Sequence, residues 1–473
     1  MTVINNSIKD TNVRAVPEIS SQGAEYQLTP MDGNPSSRAN LQFVFFYTLP
    51  STLDKKKVGI ELRKAFYQTM VQYPILYGRI EVHAEPVVKV TREYAAAKGM
   101  PRYEEHEIGG TVSAIRAAHY NWSVWPHQLL SIRVARGGGT ADSESHAPLV
   151  QCIVTWFDDG LGILFSVDHS IADGIGIDIL LNKWAQTARS SSATSGEIKI
   201  EGDDHPSLVP VDFDHQSFYR DICTEDPHAD WFVRHVDGLT TGAPVQGIIS
   251  GEGSPSEIEH ALQANVHSLR ITPESLTRLY NDMNGTGDRV PVIRLAYALV
   301  WQRYMAAKRA TSACFLNIIH SGRHLVGRPH YIGNAVCPTY MQLPAADLTT
   351  MSTWDVAQTV GLHMHATAKS QWLAFCLHMK DPVWFAKFLT IFASPQASQL
   401  TVSNISRLHF YKADFGFGGP DHATLYPTLI PGFTTWMPMG PSGGLHILWN
   451  IPSTVLQILT KDDVFCKYVD VVF

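Results

Sequence analysis

The sequence predicts an α/β protein built as two domains, and three observations carry that reading. Apolar, β-branched runs of strand length alternate with stretches whose apolar residues recur at helical spacing. At 473 residues the chain is long enough for two hydrophobic cores. Between its halves, residues 188–211 (ARSSSATSGEIKIEGDDHPSLVPV) have the Ser, Gly and Asp content of an inter-domain linker. The expected boundaries are 1–190 for an N-terminal domain, 191–213 for the crossover and 214–473 for a C-terminal domain. A short segment after Asp414 is left free to pack with the N-terminal domain.

Residues 1–40 are polar and rich in Pro, Ser and Asn, and read as an extended lead-in. Residues 41–49 (LQFVFFYTL) are apolar on both faces, the pattern of a buried strand. Val58, Leu62, Phe66 and Met70 mark one face of a helix that ends before Pro74. Arg136-Gly137-Gly138-Gly139 opens a polar loop that runs to about His146. Residues 149–157 and 161–167 are apolar runs around Asp158-Asp159-Gly160, which predicts a hairpin. Ile177, Leu180, Leu181, Trp184 and Ala188 then recur at helical spacing, so a helix starts near Gly174.

After the linker the chain is polar and helix-poor to about residue 260. Residues 268–271 read as a strand, followed by a helix opening at Thr272-Pro273-Glu274, with proline at a favoured first position. Residues 292–307 form a dense apolar helix containing Trp301, and residues 315–319 a strand that delivers Ser321-Gly322-Arg323. Helices are expected at about 353–373 and 381–393, the second with Asp381 as cap and Pro382 at its first position. LHILWNI and VFCKYVDVVF near the end are strand-like. No internal repeat at a fixed period is found.

Composition excludes several function classes. Hydrophobic content of 45% and charged content of 17% describe an ordinary globular protein. A net charge of −7 argues against nucleic acid as the main partner. The six cysteines form no CxxC pair, so neither a zinc site nor a disulfide framework is suggested, and reduced thiols fit a cytoplasmic location. The first residues lack an apolar signal region and no apolar run approaches membrane-spanning length, so no membrane partner is expected. The 21 histidines include no HExxH, and in a helix His363 and His365 would face about 200° apart. No metal is expected. Gly440-Pro441-Ser442-Gly443-Gly444 satisfies GxSxG, yet a strand-like run follows where a nucleophile elbow needs a helix.

The chemistry concentrates at His169-Ser170-Ile171-Ala172-Asp173-Gly174, at the junction of the hairpin's second strand with the following helix. A histidine leaving a rigid strand end can project into a cleft and act as a general base near neutral pH. Asp173 also reads as an N-cap for that helix. Far along the chain stands Asp414-Phe415-Gly416-Phe417-Gly418-Gly419-Pro420. A kinase DFG fails here, because neither a Gly-rich loop with its lysine nor an HRD-type loop precedes it.

HxxxDG in the first half paired with DFGxG late in the second resembles the BAHD acyltransferases of plants and fungi. The resemblance runs from about residue 41 to the C-terminus, through softer matches at YPILYGRIEV, VPVDFDHQSF, the Trp301 helix and Tyr331-Ile332-Gly333-Asn334-Ala335. It implies two similar-sized domains of mixed sheet with flanking helices, chloramphenicol acetyltransferase-like, with an active-site tunnel between them. It further implies a monomer that uses acyl-CoA as co-substrate, holds no permanent cofactor, and acylates the alcohol or amine of a specialised metabolite. His169 would be the base. Asp173 would point away from substrate and pair with Arg323, with Gly174 holding the loop. Asp414, Gly416 and Gly418 would form a structural turn.

Two departures from the family pattern stand out. A Thr-Ser-Trp segment is usual ahead of the second motif, and here the corresponding positions are Ser403, Asn404 and Ile405. Ser403 or Asn404 must then supply any side-chain hydrogen bond to the oxyanion. Phe417 also stands where tryptophan is usual. For CoA phosphates, Arg323 and Arg328 are candidates, with His324 in the same loop. The rival readings are a condensation-domain-like acyltransferase fed by a carrier protein, and a non-catalytic binding member of the fold. Asp168, not histidine, precedes His169, which favours CoA over the carrier-fed lineage.

Overall fold

The computed structural model describes residues 23–194 and 266–473, apart from 30, 33–39, 82–86, 92–94, 96–98, 127–128, 130–147, 284–288, 367–368, 380, 382–383, 385–397, 427–431 and 442. The expected 136–146 loop and most of both the 188–211 linker and the 381–393 helix lie outside the described residues.

In chain order the strands and helices begin with β1 (Ala24–Gln27), β2 (Asn40–Thr48), α1 (Lys55–Met70), β3 (Arg79–Glu81) and β4 (Val87–Val90). There follow β5 (Arg102–Glu107), α2 (Val112–Ala117), β6 (Val150–Phe157), β7 (Gly160–Asp168) and α3 (Gly174–Thr194). The second half holds β8 (Val266–Ile271), α4 (Pro273–Met283), α5 (Val292–Ala307), β9 (Ala313–Ser321), β10 (Val336–Pro344) and the helices α6 (Ala345–Thr350), α7 (Thr353–Ala366) and α8 (Lys369–His378). It closes with β11 (Gln399–Asn404), β12 (His422–Leu425), β13 (Phe433–Pro438), β14 (Leu445–Asn450), α9 (Ser453–Leu459), α10 (Asp463–Cys466) and β15 (Asp470–Val471).

These elements divide into two compact units. The first is Met1–Asp221 together with Arg328–Ala335 and Leu408–Tyr426. Its five-stranded sheet has the order β12-β2-β7-β6-β5, and β1-β4-β3 form a smaller sheet. Every residue of β6 and β7 is buried, so the two apolar runs read from sequence are the sheet's interior. They pair antiparallel from Val150↔Val167 to Phe157↔Gly160, while β5 joins β6 in parallel, which makes the sheet mixed. Helix α1 starts where Asp54 accepts from the backbone N–H of Lys56 and Lys57.

The second unit is Ile222–Gly327, Val336–Arg407 and Pro427–Phe473. Its seven strands have the order β10-β9-β11-β13-β14-β8-β15. β11 is parallel to both β9 and β13, and the remaining pairs are antiparallel. Alternate residues Leu316, Ile318, Leu400, Val402, Trp436 and Ile447 share one core with Leu295, Leu299 and Trp301 of α5. That is the period of two a half-covered sheet requires.

Three expectations change. Helix α3 runs on to Thr194, because Ala and Ser tolerate a helix even where composition reads as linker. The single helix expected at 353–373 is two, α7 and α8. VFCKYVDVVF is not one strand: Asp462 accepts from the N–H groups of Val464 and Phe465 and starts α10, leaving only Asp470–Val471 extended.

Candidate functional site

β7 ends at Asp168, whose carboxylate accepts from Ser170 N–H at 2.9 Å and whose carbonyl accepts from Ile171 N–H at 2.9 Å. The chain turns at once, and His169 leaves the strand on that turn. Its Nδ1 lies 3.1 Å from the carbonyl oxygen of Ala172. A carbonyl only accepts, so Nδ1 carries the hydrogen and Nε2 keeps its lone pair. Burial lowers the imidazole's pKa below its ordinary 6.5, while Asp173, the local backbone hydrogen bonds and Asp32 push the other way without cancelling it. His169 is therefore neutral at pH 7, the state a base needs.

Asp173 is buried and turned into the backbone. One oxygen accepts from Ile175 and Gly176 N–H, both at 3.1 Å, and caps α3. The other accepts from Ala335 N–H at 3.2 Å. Gly174 is the first helical residue. Two residues on, a Cβ at Gly176 would come within 2.0 Å of the Ile332 carbonyl oxygen, so only glycine lets the helix start this close to the 331–335 segment.

That segment holds the histidine's backbone. Asn334 Nδ2 donates to the carbonyl of His169 and, at 2.8 Å, to a carboxylate oxygen of Asp32. Asn334 N–H donates to the same Asp32 oxygen at 2.8 Å. The other oxygen of Asp32 accepts from Thr29 N–H at 3.1 Å, Thr29 Oγ1 at 2.6 Å and the Tyr331 hydroxyl at 3.3 Å. Sequence reasoning missed Asp32 and the role of Asn334. The only signals were the Thr29-Pro30-Met31-Asp32-Gly33 turn chemistry inside the supposed lead-in and the YIGNA match.

Asp414 belongs to a different place. Its Oδ1 accepts from Gly416 N–H at 2.7 Å and Gly418 N–H at 2.8 Å. Both glycines have positive φ, 104° and 98°, conformations in which a side chain is strained. Phe415 packs on Trp184 with ring centroids 4.5 Å apart, and Phe417 packs on Tyr47 at 5.4 Å. Arg189 of α3 donates to the Asp414 carbonyl. Arg189 lies roughly four turns, about 24 Å, beyond Asp173 along that helix. The DFGFG turn thus braces the far end of α3. Nearer its start, Asp178 accepts from His409 N–H at 3.0 Å and tethers the same returning segment.

In the second unit Arg323 is 3% exposed and donates to the Ser321 hydroxyl at 3.4 Å. Its pairing with Asp173 stands as a proposal. Arg328 lies over the ring of Tyr331 at 5.5 Å, and His324 is exposed. The carboxamide of Asn404 is committed locally: Nδ2 donates to the Tyr297 hydroxyl and Oδ1 accepts from Ser406 N–H at 2.9 Å. Ser403 is half-buried on the same strand, and its role as a donor also stands as a proposal. His363 bonds to the Thr359 carbonyl and His365 to Arg294, separate partners on separate faces. Among the described residues no three His, Cys, Asp or Glu side chains converge as a metal site. No described helix is long and apolar enough to cross a membrane.

The sequence profile described as Transferase family matches residues 129–232, which include the HSIADG segment. An acyltransferase of Emericella nidulans is 21% identical over 389 residues, covering 77% of each chain. The 3'-N-debenzoyl-2'-deoxytaxol N-benzoyltransferase of Taxus canadensis is 23% identical over 475 residues, covering 94% of this chain and 92% of that protein. The fold matches the Fusarium (F. graminearum) TRI101 protein, solved with coenzyme A and T-2 mycotoxin, at a TM-score of 0.71 and 14% identity, over 95% of this chain and all of that one. The sequence likenesses are thus to acyltransferases, in keeping with the resemblance to the BAHD family that the paired HxxxDG and DFGxG motifs carry, and the structural likeness shows a shared fold.

Proposed function

We propose that the protein moves an acyl group from a CoA thioester to the alcohol or amine of a small specialised metabolite, with His169 as general base. The observation that carries this reading is the bond between His169 Nδ1 and the Ala172 carbonyl. It leaves a neutral Nε2 to accept a proton. In the reaction Nε2 takes the acceptor's O–H or N–H proton as the acceptor oxygen or nitrogen attacks the thioester carbon. The tetrahedral intermediate collapses by breaking the C–S bond. The imidazolium then returns its proton to the departing thiolate, giving ester or amide and free CoA. No acyl-enzyme is needed.

Two likenesses support the CoA donor and the acceptor class. The TRI101 protein was solved in complex with coenzyme A and T-2 mycotoxin, and the Taxus relative is named an N-benzoyltransferase. The test incubates the protein with acetyl-CoA and benzoyl-CoA against a panel of small alcohols and amines, including deoxynivalenol. Free thiol is the readout. Acceptor-dependent thiol release, matched by a product heavier by the acyl group, supports the reading. Thiol release that no acceptor accelerates would refute it.

A further inference from the structure

Asp32 is a buried charge that the acyl-transfer chemistry does not itself use. Its side chain is 0% exposed. A carboxylate in such a place is tolerated only when donors surround it. Here they come from Thr29 on one side and from Tyr331 and Asn334 on the other, 299 and 302 positions away in sequence. The charge therefore joins Thr29 and the turn at Met31 and Asp32 to the segment that contacts His169.

We propose that Asp32 is a positioning residue for His169, acting through Asn334; the proposal rests on His169 being the base. A side-chain amide nitrogen has two hydrogens. Those of Asn334 go to Asp32 and to the His169 carbonyl, so the amide cannot turn without losing both bonds. That fixes the carbonyl of His169 and, through it, the direction in which the imidazole leaves the backbone. Displacement of a catalytic group by about 1 Å is enough to lower a rate by roughly 10²-fold.

The negative charge matters as well as the shape. One Asp32 oxygen receives two N–H groups from Asn334, and the other receives the N–H and hydroxyl of Thr29. In Asp32→Asn, whichever side the new NH₂ takes, it faces a backbone N–H. The neutral isostere cannot satisfy both sides.

The test measures thiol release from acetyl-CoA, with the acceptor chosen by the panel above, for wild type, Asp32→Asn, His169→Ala and the double variant. Asp32→Asn is expected to lower kcat by about 10- to 100-fold with KM for acetyl-CoA unchanged. In the His169→Ala background it should lower the residual rate no further, because it acts through the missing imidazole. If Asp32→Asn does not fold, Asn334→Ala removes the bridge and is held to both criteria. A normal kcat, or an equal fractional loss with and without His169, overturns the proposal. Normal turnover in His169→Ala alone overturns the base assignment on which the proposal rests, a result distinct from a silent Asp32→Asn.

Discussion

Nδ1 of His169 and the carbonyl oxygen of Ala172 lie 3.1 Å apart, so the motif orients its own histidine. Burial then lowers the imidazole's pKa below 6.5, against Asp173 and Asp32, which raise it. The free base is the active form, so activity is lost only as pH falls through that depressed value. The acid limb of kcat/KM should lie below pH 6.5. Asp173→Asn removes a charge that favours imidazolium and should move the limb lower still. A limb above pH 6.5 would contradict the assignment.

Asp173 acts on structure. Asp173→Ala removes two bonds at the start of α3 and one from Ala335. Loss of the cap costs about 0.5–2 kcal/mol and the stranded Ala335 N–H about 1–3 kcal/mol more, so a total near 2–4 kcal/mol is expected in denaturant unfolding. A loss under about 0.5 kcal/mol, the size of an ordinary surface substitution, would contradict this. The pairing with Arg323 that the resemblance to the BAHD family implies is read from the same experiment, as non-additivity of Asp173→Ala and Arg323→Ala.

The DFGFG turn should behave as a brace. Gly418→Ala forces a side chain onto a φ of 98° and should destabilise by about 1–2 kcal/mol. Turnover per folded molecule should stay near normal, because the turn holds the end of α3 remote from His169. A collapse of kcat at unchanged melting temperature would assign the turn a chemical role. Phe417→Trp keeps an aromatic ring against Tyr47 and should be tolerated, with overpacking of roughly 1–3 kcal/mol as its main risk.

Acid should weaken the fold through buried histidines. Burial pushes His320 and His446 down to about 4 from 6.5. Below pH 6.5 the unfolded chain takes up protons that these groups refuse in the native state. Their contribution is complete above about 6.5 and is lost progressively as pH falls toward 4, on the order of 1–3 kcal/mol for each. His446→Gln should flatten the fall of melting temperature between pH 6.5 and 4, since glutamine does not titrate. An unchanged pH slope would count against the buried-histidine account.

Much of this was legible because the signals are local. The hairpin of β6 and β7 follows from two apolar runs around a Gly-containing turn, and the start of α3 from its periodic apolar residues. His169 falls at their junction, so the motif could be placed on a strand end from sequence alone. The support beneath it was not legible. Asp32 lies in a polar stretch without periodicity, and its partners Tyr331 and Asn334 arrive from far along the chain. The local bonds of Asn404 were not legible either: its carboxamide bonds to Tyr297 and Ser406, contacts that no spacing rule anticipates.

The central claim is that Nε2 of His169 carries the proton in acyl transfer. The most direct test is His169→Ala, followed as acceptor-dependent thiol release from acetyl-CoA beside calorimetric binding of coenzyme A. The account predicts turnover lower by about 10²- to 10⁴-fold with affinity for coenzyme A and melting temperature little changed. Near-normal turnover in the folded variant would contradict it.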